Sequence, residues 1–253
     1  MLCDAHVHVG YFPRYGYEEP FYYSPRRIFS VLKRCGVEEF IFSSTNAVWD
    51  ESGCAMHAEA KELLRLAGGN AHAFFWCTLE YFQRDPELSG LPDFYEGIKL
   101  HGGESPWLEN QDCLTALLRI AQKQNWKIQI HTDKEKKYGT MMDYEPFCRD
   151  FQDLRFNFAH GNPGKLAGEI VRRNRNIWID TAFVPEQTLL EWQADRDLRN
   201  RILCGSDLPA PQRHWDIFLT GYCRELYRNT YALFGEKTAA NFHHFLYGEE
   251  TDN

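Results

Sequence analysis

Leu2-Cys3-Asp4-Ala5-His6-Val7-His8-Val9-Gly10 opens the chain with two histidines that alternate with apolar residues before a glycine. Side chains alternate across a strand, so this run puts His6 and His8 on one face and Val7 and Val9 on the other. Both imidazoles lie near the end of the segment, where they can converge on one cation without backbone distortion. Asp4 falls on the His6 face one layer deeper, as support from below. The pair is half of a metal site, and surface strands also carry such pairs by chance. The rest of the chain decides.

Working outward, Glu39-Phe40-Ile41-Phe42-Ser43-Ser44, residues 73–79, 97–103, 127–131, 154–161, 176–180 and 201–207 are all short runs rich in strand formers. Between them lie helical stretches. One begins at Ser24-Pro25, a cap followed by proline in the first turn, and ends near Cys35-Gly36. Others are expected over residues 53–66, 112–124, 145–150 and 165–173, and Thr188 with Glu191 has the spacing of a capping box. Two helices finish the chain. Strands alternating with helices, with no linker and no shift in composition, predict a parallel sheet closed by right-handed crossovers. The expected fold is α/β, a (β/α)8 TIM barrel forming a single domain over residues 1–253. An open doubly wound sheet is the alternative, but its Gly-x-Gly-x-x-Gly turn is missing after the first strand.

A length of 253 residues suits such a barrel. Lys plus Arg is 28 against 36 Asp plus Glu, a net charge of −8 without any basic run, so nucleic acid is disfavoured as partner. The apolar runs are too short to cross a bilayer, which argues against a membrane. Eight cysteines without Cys-x-x-Cys spacing read as buried thiols in a reducing compartment. A first strand starting at residue 2 leaves no room for a leader segment, and the cytoplasm is the expected location. The expected partner is a small-molecule substrate, and the oligomeric state has no signature.

In a barrel the reacting groups lie at the C-terminal ends of the strands. His6, His8, Lys99, His101, His131, His160 and Asp207 all fall there. Imidazoles and a carboxylate suit Zn²⁺ and similar ions, which lower the pKa of bound water to about 7. A carboxylate beside that water can move its proton to a leaving group. Asp180 and Thr181 end the seventh strand and are expected to line the same pocket. His57, His72, His214, His243 and His244 fall in helices or connections and are expected to be structural or solvated. The loops from Gly10 to Pro25 and from Gly102 to Asn110 are the expected source of specificity. The first is crowded with aromatic residues, which read equally as a substrate wall or a plug packed on its own domain.

Asp4-Ala5-His6-Val7-His8, Gly97-Ile98-Lys99-Leu100-His101, Ile130-His131-Thr132, Phe158-Ala159-His160-Gly161 and residues 202–209 together resemble the strand signatures of the amidohydrolase superfamily, most closely its amidohydrolase-2 branch. Asn241 with Leu246-Tyr247 is similar to that branch's closing helix. The resemblance implies that His6, His8, His131 and Asp207 bind a divalent metal, with one Zn²⁺ per chain expected. It further implies that Asp207 is the general base and that His160 polarises water or substrate. Lys99 departs from the glutamate of TatD-type relatives. It is assigned with His101 to substrate binding, the alternative being a carboxylated lysine bridging two metals. The implied reaction is hydrolysis of a small amide, ester or lactone, and the rival is decarboxylation of a small aromatic or unsaturated acid at the same site. A barrel that binds metal and ligand without turnover is a third reading, which the presence of both His160 and Asp207 opposes.

Overall fold

A computed structural model describes residues 1–12, 20–50, 52–134, 139–210 and 216–248. Its strands are β1 (Cys3–Phe12), β2 (Phe21–Tyr23), β3 (Glu39–Ser44), β4 (Ala71–Trp76), β5 (Tyr95–Leu100), β6 (Lys127–His131), β7 (Phe156–Ala159), β8 (Ile177–Asp180) and β9 (Ile202–Leu203). The helices are α1 (Pro25–Cys35), α2 (Cys54–Ala67), α3 (Leu79–Arg84), α4 (Gln111–Lys123), α5 (Met141–Asp150), α6 (Ala167–Arg173), α7 (Glu186–Ala194), α8 (Arg196–Arg199), α9 (Asp216–Phe234) and α10 (Lys237–Tyr247). Strands β1 and β3 to β9 run parallel in chain order, and β2 adds an antiparallel edge to β1. The sheet closes on itself through a parallel bridge between Val7 and Leu208. Hydrogen bonds from Ala5 N to Cys204 O (2.7 Å), Asp207 N to His6 O (2.8 Å) and His8 N to Leu208 O (2.7 Å) complete the seam. This is the expected (β/α)8 barrel.

The strands are buried almost throughout, as a sheet covered by helices on its outer face requires. Most of the core lies between the sheet and the helices, where Ile28, Val31 and Leu32 of α1 and Leu114, Leu117 and Leu118 of α4 pack on it. A smaller cluster closes the lower end. There Phe242, Phe245 and Leu246 of α10 meet Cys3, Ala5, Ile41, Phe74, Trp178 and Leu203. Ser24 caps α1 as expected, its hydroxyl accepting from Arg27 N, and Gly36 ends the helix in the left-handed region at φ 79°.

Several boundaries differ from expectation for local reasons. The first strand continues past Gly10 to Phe12 because β2 offers it an antiparallel partner. The register between β1 and β3 slips by one residue between Asp4 and Val7, so the backbone of the histidine segment is bulged rather than regular. Only Ile202 and Leu203 of the eighth parallel segment are strand, and Asp207 lies in a turn at φ 55°. Thr188 is inside α7, whereas a capping box starts α5, with Thr140 N and Oγ1 both 2.8 Å from Asp143 Oδ2. Helix α3 had no clear periodicity to announce it. Among the described residues no helix is long and apolar enough to cross a membrane.

Candidate metal centre and pocket

The upper end of the barrel gathers the polar strand ends. His6 Nε2 and His8 Nε2 are 3.1 Å apart, and Asp207 Oδ1 lies 3.3 Å from the first and 3.0 Å from the second. Lys99 Nζ from β5 approaches His6 Nε2 at 3.2 Å. The outer ring nitrogens each face an oxygen. His8 Nδ1 is 2.9 Å from Ser43 Oγ, and His6 Nδ1 is 3.2 Å from Asp180 Oδ2, though off the line of a full hydrogen bond. Both Nε2 atoms face the Asp207 carboxylate, and with the proton carried on Nδ1 each would offer a lone pair to a cation at this point. Three electron-rich atoms then converge in a buried space, with a single lysine as counterweight. That donor set fits a divalent cation.

Asp180, at the end of β8, is the hub beneath this cluster. Its Oδ1 accepts from the backbone amides of His160 and Ala182, both at 3.1 Å, and Asn157 Nδ2 donates to Oδ2 at 3.2 Å. His160 is held at φ 68°, in the left-handed region, and donates Nδ1–H to Ala182 O at 2.9 Å. Its Nε2 then faces His131 Nδ1 at 3.2 Å. Donor atoms within 4.8 Å of one another define two groups here, His6, His8 and Asp207, and His6, His160 and Asp180. His131 falls in neither, lying instead between His160 and His101, whose ring stacks on its own at 4.0 Å. Gly205 passes close behind Asp180, where a Cβ would come within 2.9 Å of it.

Burial sets the charge states. It drives His6 and His101 well below the ordinary imidazole range, lowers His8, and takes His131 down to about 4. Lys99, fully buried, falls to about 8 against the pull of Asp207 and Asp180. Burial alone would raise the Asp207 carboxyl, but His6, the hydrogen bond and charge of His8, and His160 hold it below the usual carboxylate range. The lowered imidazoles favour the neutral form and the carboxylate the ionised one, the states in which such groups ligate.

A cavity of about 320 Å³ opens above these groups, lined by His8, Lys99, His101, His131 and Asp207 together with Phe12, Phe21, Trp76 and Phe183. Trp76 lies nearly parallel to His101 (5.6 Å, 14°), which stacks on His131, so three flat rings make one continuous wall. Phe12 and Phe21 stack at 4.9 Å and 2°, so the described ends of the aromatic loop are a pocket wall. Residues 13–19 of that loop and His214 lie outside the described residues. The segment from Gly102 to Glu109 instead lines a separate cavity of about 220 Å³ with Tyr144, and only its neighbour His101 reaches the main one. Trp76 was not singled out by sequence, although an aromatic residue ending a barrel strand is a pocket signal.

Elsewhere, His72 lies within β4 rather than in a connection, and it bridges Glu39 and Glu96. His57 meets Tyr95 Oη, His243 meets Glu39 and His244 packs on Trp178, all away from the cavity. Asp4 does not share the inward face of His6. The bulge sends it to Tyr227 on α9, while its neighbours Cys3 and Ala5 pack in the lower cluster.

A family model described as amidohydrolase, of the amidohydrolase-2 type, matches residues 3–247. The chain belongs to the amidohydrolase family. Among solved structures of similar fold is 5-carboxyvanillate decarboxylase from Sphingomonas paucimobilis, with TM-score 0.63, 10% identity, and coverage of 96% of this chain and 98% of that one. A 5-carboxyvanillate decarboxylase from Novosphingobium aromaticivorans, complexed with manganese and 4-hydroxy-3-methoxy-5-nitrobenzoic acid, gives TM-score 0.55 at 11% identity, covering 85% of this chain and 79% of that one. A probable 2-pyrone-4,6-dicarboxylic acid hydrolase from Acinetobacter baumannii, with citric acid bound, gives TM-score 0.55 at 12% identity, covering 92% and 99%. No curated protein sequence matches the chain. At these identities the three structures share the fold with this chain, and one of them carries manganese.

Proposed function

We propose that this amidohydrolase-family enzyme decarboxylates a small aromatic or unsaturated carboxylic acid with the help of a divalent cation. The observation that carries the reading is the cavity, whose floor is the polar cluster and whose walls are flat rings. Its volume suits one ring bearing a few polar substituents. The Lys99 ammonium in that floor suits the substrate's carboxylate or a neighbouring oxygen, and the Trp76, His101 and His131 rings suit a planar body. The decarboxylase activities of two structural neighbours support this order over the hydrolysis expected from the sequence. The pyrone hydrolase supports hydrolysis of a small lactone, amide or ester as the second reading.

His6, His8 and Asp207 would hold the cation, with His131 as the fourth ligand assigned from the sequence. When bound, the cation supplies positive charge for substrate oxygens. In decarboxylation the bond to the carboxyl carbon breaks, its electron pair stays on the ring or alkene carbon, and that carbon takes one proton as CO2 leaves. Asp207 is the group placed to relay that proton. Held ionised at rest, it carries the proton only in passing, with His160 next to the same cluster to exchange protons and orient the substrate. In hydrolysis the same carboxylate would instead take a proton from water and pass it to the leaving group.

Mn²⁺-loaded protein offered hydroxylated benzoic acids in D2O should release CO2 and place one deuterium on the carbon that lost it, without incorporating label from ¹⁸O-water. Label in the product with no CO2, from a pyrone dicarboxylate or another lactone, would put hydrolysis first. The native ion is open to Zn²⁺ and Mn²⁺ alike, and about one per chain is expected. A content near two, falling to one on Lys99→Ala, would favour the carboxylated lysine.

A further inference from the structure

The seam where the barrel closes is its sparsest strand contact, and the cation cluster straddles it. Among the described residues, strands β1 and β9 share no run of ladder pairs. One isolated bridge at Val7 and Leu208 and three backbone hydrogen bonds join the two sides, with Asp207 N bonded to His6 O among them. His6 is on one side and Asp207 on the other, 3.3 Å apart at their functional atoms.

Behind that seam, on the outer face of the barrel wall, the Asp4 carboxylate accepts four hydrogen bonds. His6 N donates to Oδ1 at 3.0 Å and Ser206 N to the same oxygen at 3.1 Å. The Ser206 and Tyr227 hydroxyls both donate to Oδ2 at 2.5 Å. Two of the four donors thus belong to ligand-bearing backbone, His6 itself and the residue before Asp207. The fourth comes from α9, outside the barrel. All three side chains are buried, and none lines the cavity. The bulge between Asp4 and Val7 is what turns Asp4 outward and makes this arrangement possible.

We propose that Asp4, Ser206 and Tyr227 are positioning residues that set the separation of His6 and Asp207 from outside the barrel, so that a hydroxyl on α9 governs the affinity of the cation site. The proposal rests on the reading of His6, His8 and Asp207 as cation ligands. Removing a hydrogen bond from the Asp4 carboxylate lets the two sides of the seam relax, and the cost appears as weaker cation binding. Partners one shell beyond metal ligands typically change affinity by about 10- to 100-fold.

The test is Mn²⁺ binding to chelator-stripped full-length protein, followed by the electron paramagnetic resonance signal of free Mn²⁺, beside a thermal melt of every variant. Tyr227→Phe keeps the ring and loses only the hydroxyl, and should raise the Mn²⁺ Kd about tenfold. Asp4→Asn should raise it further, and if that variant does not fold, Tyr227→Phe carries the test alone. Leu219→Val supplies the contrast, since it trims buried packing of the same helix and is not among the hydrogen-bond donors to Asp4. It should lower the Tm and leave the Kd within about twofold of wild type. A Tyr227→Phe protein with wild-type Kd overturns the proposal. So does a Leu219→Val protein whose Kd rises in proportion to its loss of Tm, because α9 would then act only through general stability. His8→Ala is the separate check on the ligands. If wild type takes up no Mn²⁺, or His8→Ala binds as tightly as wild type, the ligand reading fails and the proposal fails with it.

Discussion

The two ends of this barrel are built from the same residue types and hold them in opposite electrostatic states. At the upper end, His6, His8, His101 and His131 are pushed downward, chiefly by burial, toward the neutral form. At the lower end, His72 lies between two carboxylates, 2.8 Å from Glu39 and 2.9 Å from Glu96, and its pKa is raised. Glu39 in turn takes His243 at 2.7 Å on its other oxygen. The lower groups complete one another, whereas the upper ones crowd two imidazole nitrogens and one carboxylate oxygen around a single space. Histidine beside carboxylate is therefore not a site in itself. What separates the two ends is whether the donor atoms have already found their partners.

The largest expected effect breaks the upper cluster at its carboxylate. Asp207→Asn keeps one oxygen near His6 and His8 but removes the group that moves a proton, so turnover should fall roughly 10²- to 10⁴-fold while most of the cation stays bound. Elemental analysis beside kcat checks it. Undiminished kcat would remove Asp207 from the chemistry in either reaction.

The next contrast lies within the upper end, between two rings that touch. His160 is fixed by its bond to Ala182 O and by Asp180, and it is assigned to the substrate, so His160→Asn should keep the cation and lose about 10² in rate or more. His131 is assigned to the cation, so His131→Ala should weaken cation binding first. A cation-free His160→Asn protein beside a fully loaded His131→Ala protein would exchange the two roles. That exchange has a structural basis, because His160 shares a donor group with His6 and Asp180 while His131 does not.

How much of this was legible in the chain follows from what each feature depends on. The barrel could be read because eight short apolar runs alternate with helical stretches, and pattern of that kind is local. The identities of the strand-end residues were also local, and His6, His8, Lys99, His101, His131, His160 and Asp207 do gather at one end. Their pairing was not legible. Which imidazole meets Asp207 and which meets His160 depends on crossovers, a bulge and a turn at positive φ that no single segment announces. The bulge in β1 overturned the simple alternation that placed Asp4 beneath His6. His72 was misplaced for a related reason, since β4 begins two residues earlier than its apolar run suggests, pairing Ala71 and His72 with Phe40 and Ile41. Asp180 could be seen at a strand end, but its role as hub required Asn157, Ala182 and His160 to be adjacent in space.

The smallest expected effect concerns the lower end, where the partnered state should register in stability rather than activity. Burial alone would lower His72, but the hydrogen bonds and charges of Glu96 and Glu39 outweigh it and raise its pKa above the ordinary 6.5. A histidine whose folded pKa is raised contributes stability that is fully present below its unfolded value and fades as pH climbs through the folded one. Glu39 runs the other way. Burial would raise it, His243 and His72 hold it below 4.5, and its contribution is lost as pH falls. Between the two ranges, near pH 5.5, both are charged. His72→Gln keeps the size and some hydrogen bonding but not the charge, so it should destabilise the fold by about 1–3 kcal/mol there. The gap from wild type should narrow as pH rises from there toward about 9, the direction in which a histidine of raised pKa gives up its proton. Melts of the two proteins at both pH values, with Mn²⁺ binding measured beside them, decide it. A gap of equal size at both would mean that His72 acts by packing alone, and altered Mn²⁺ binding would mean that the two ends are not independent.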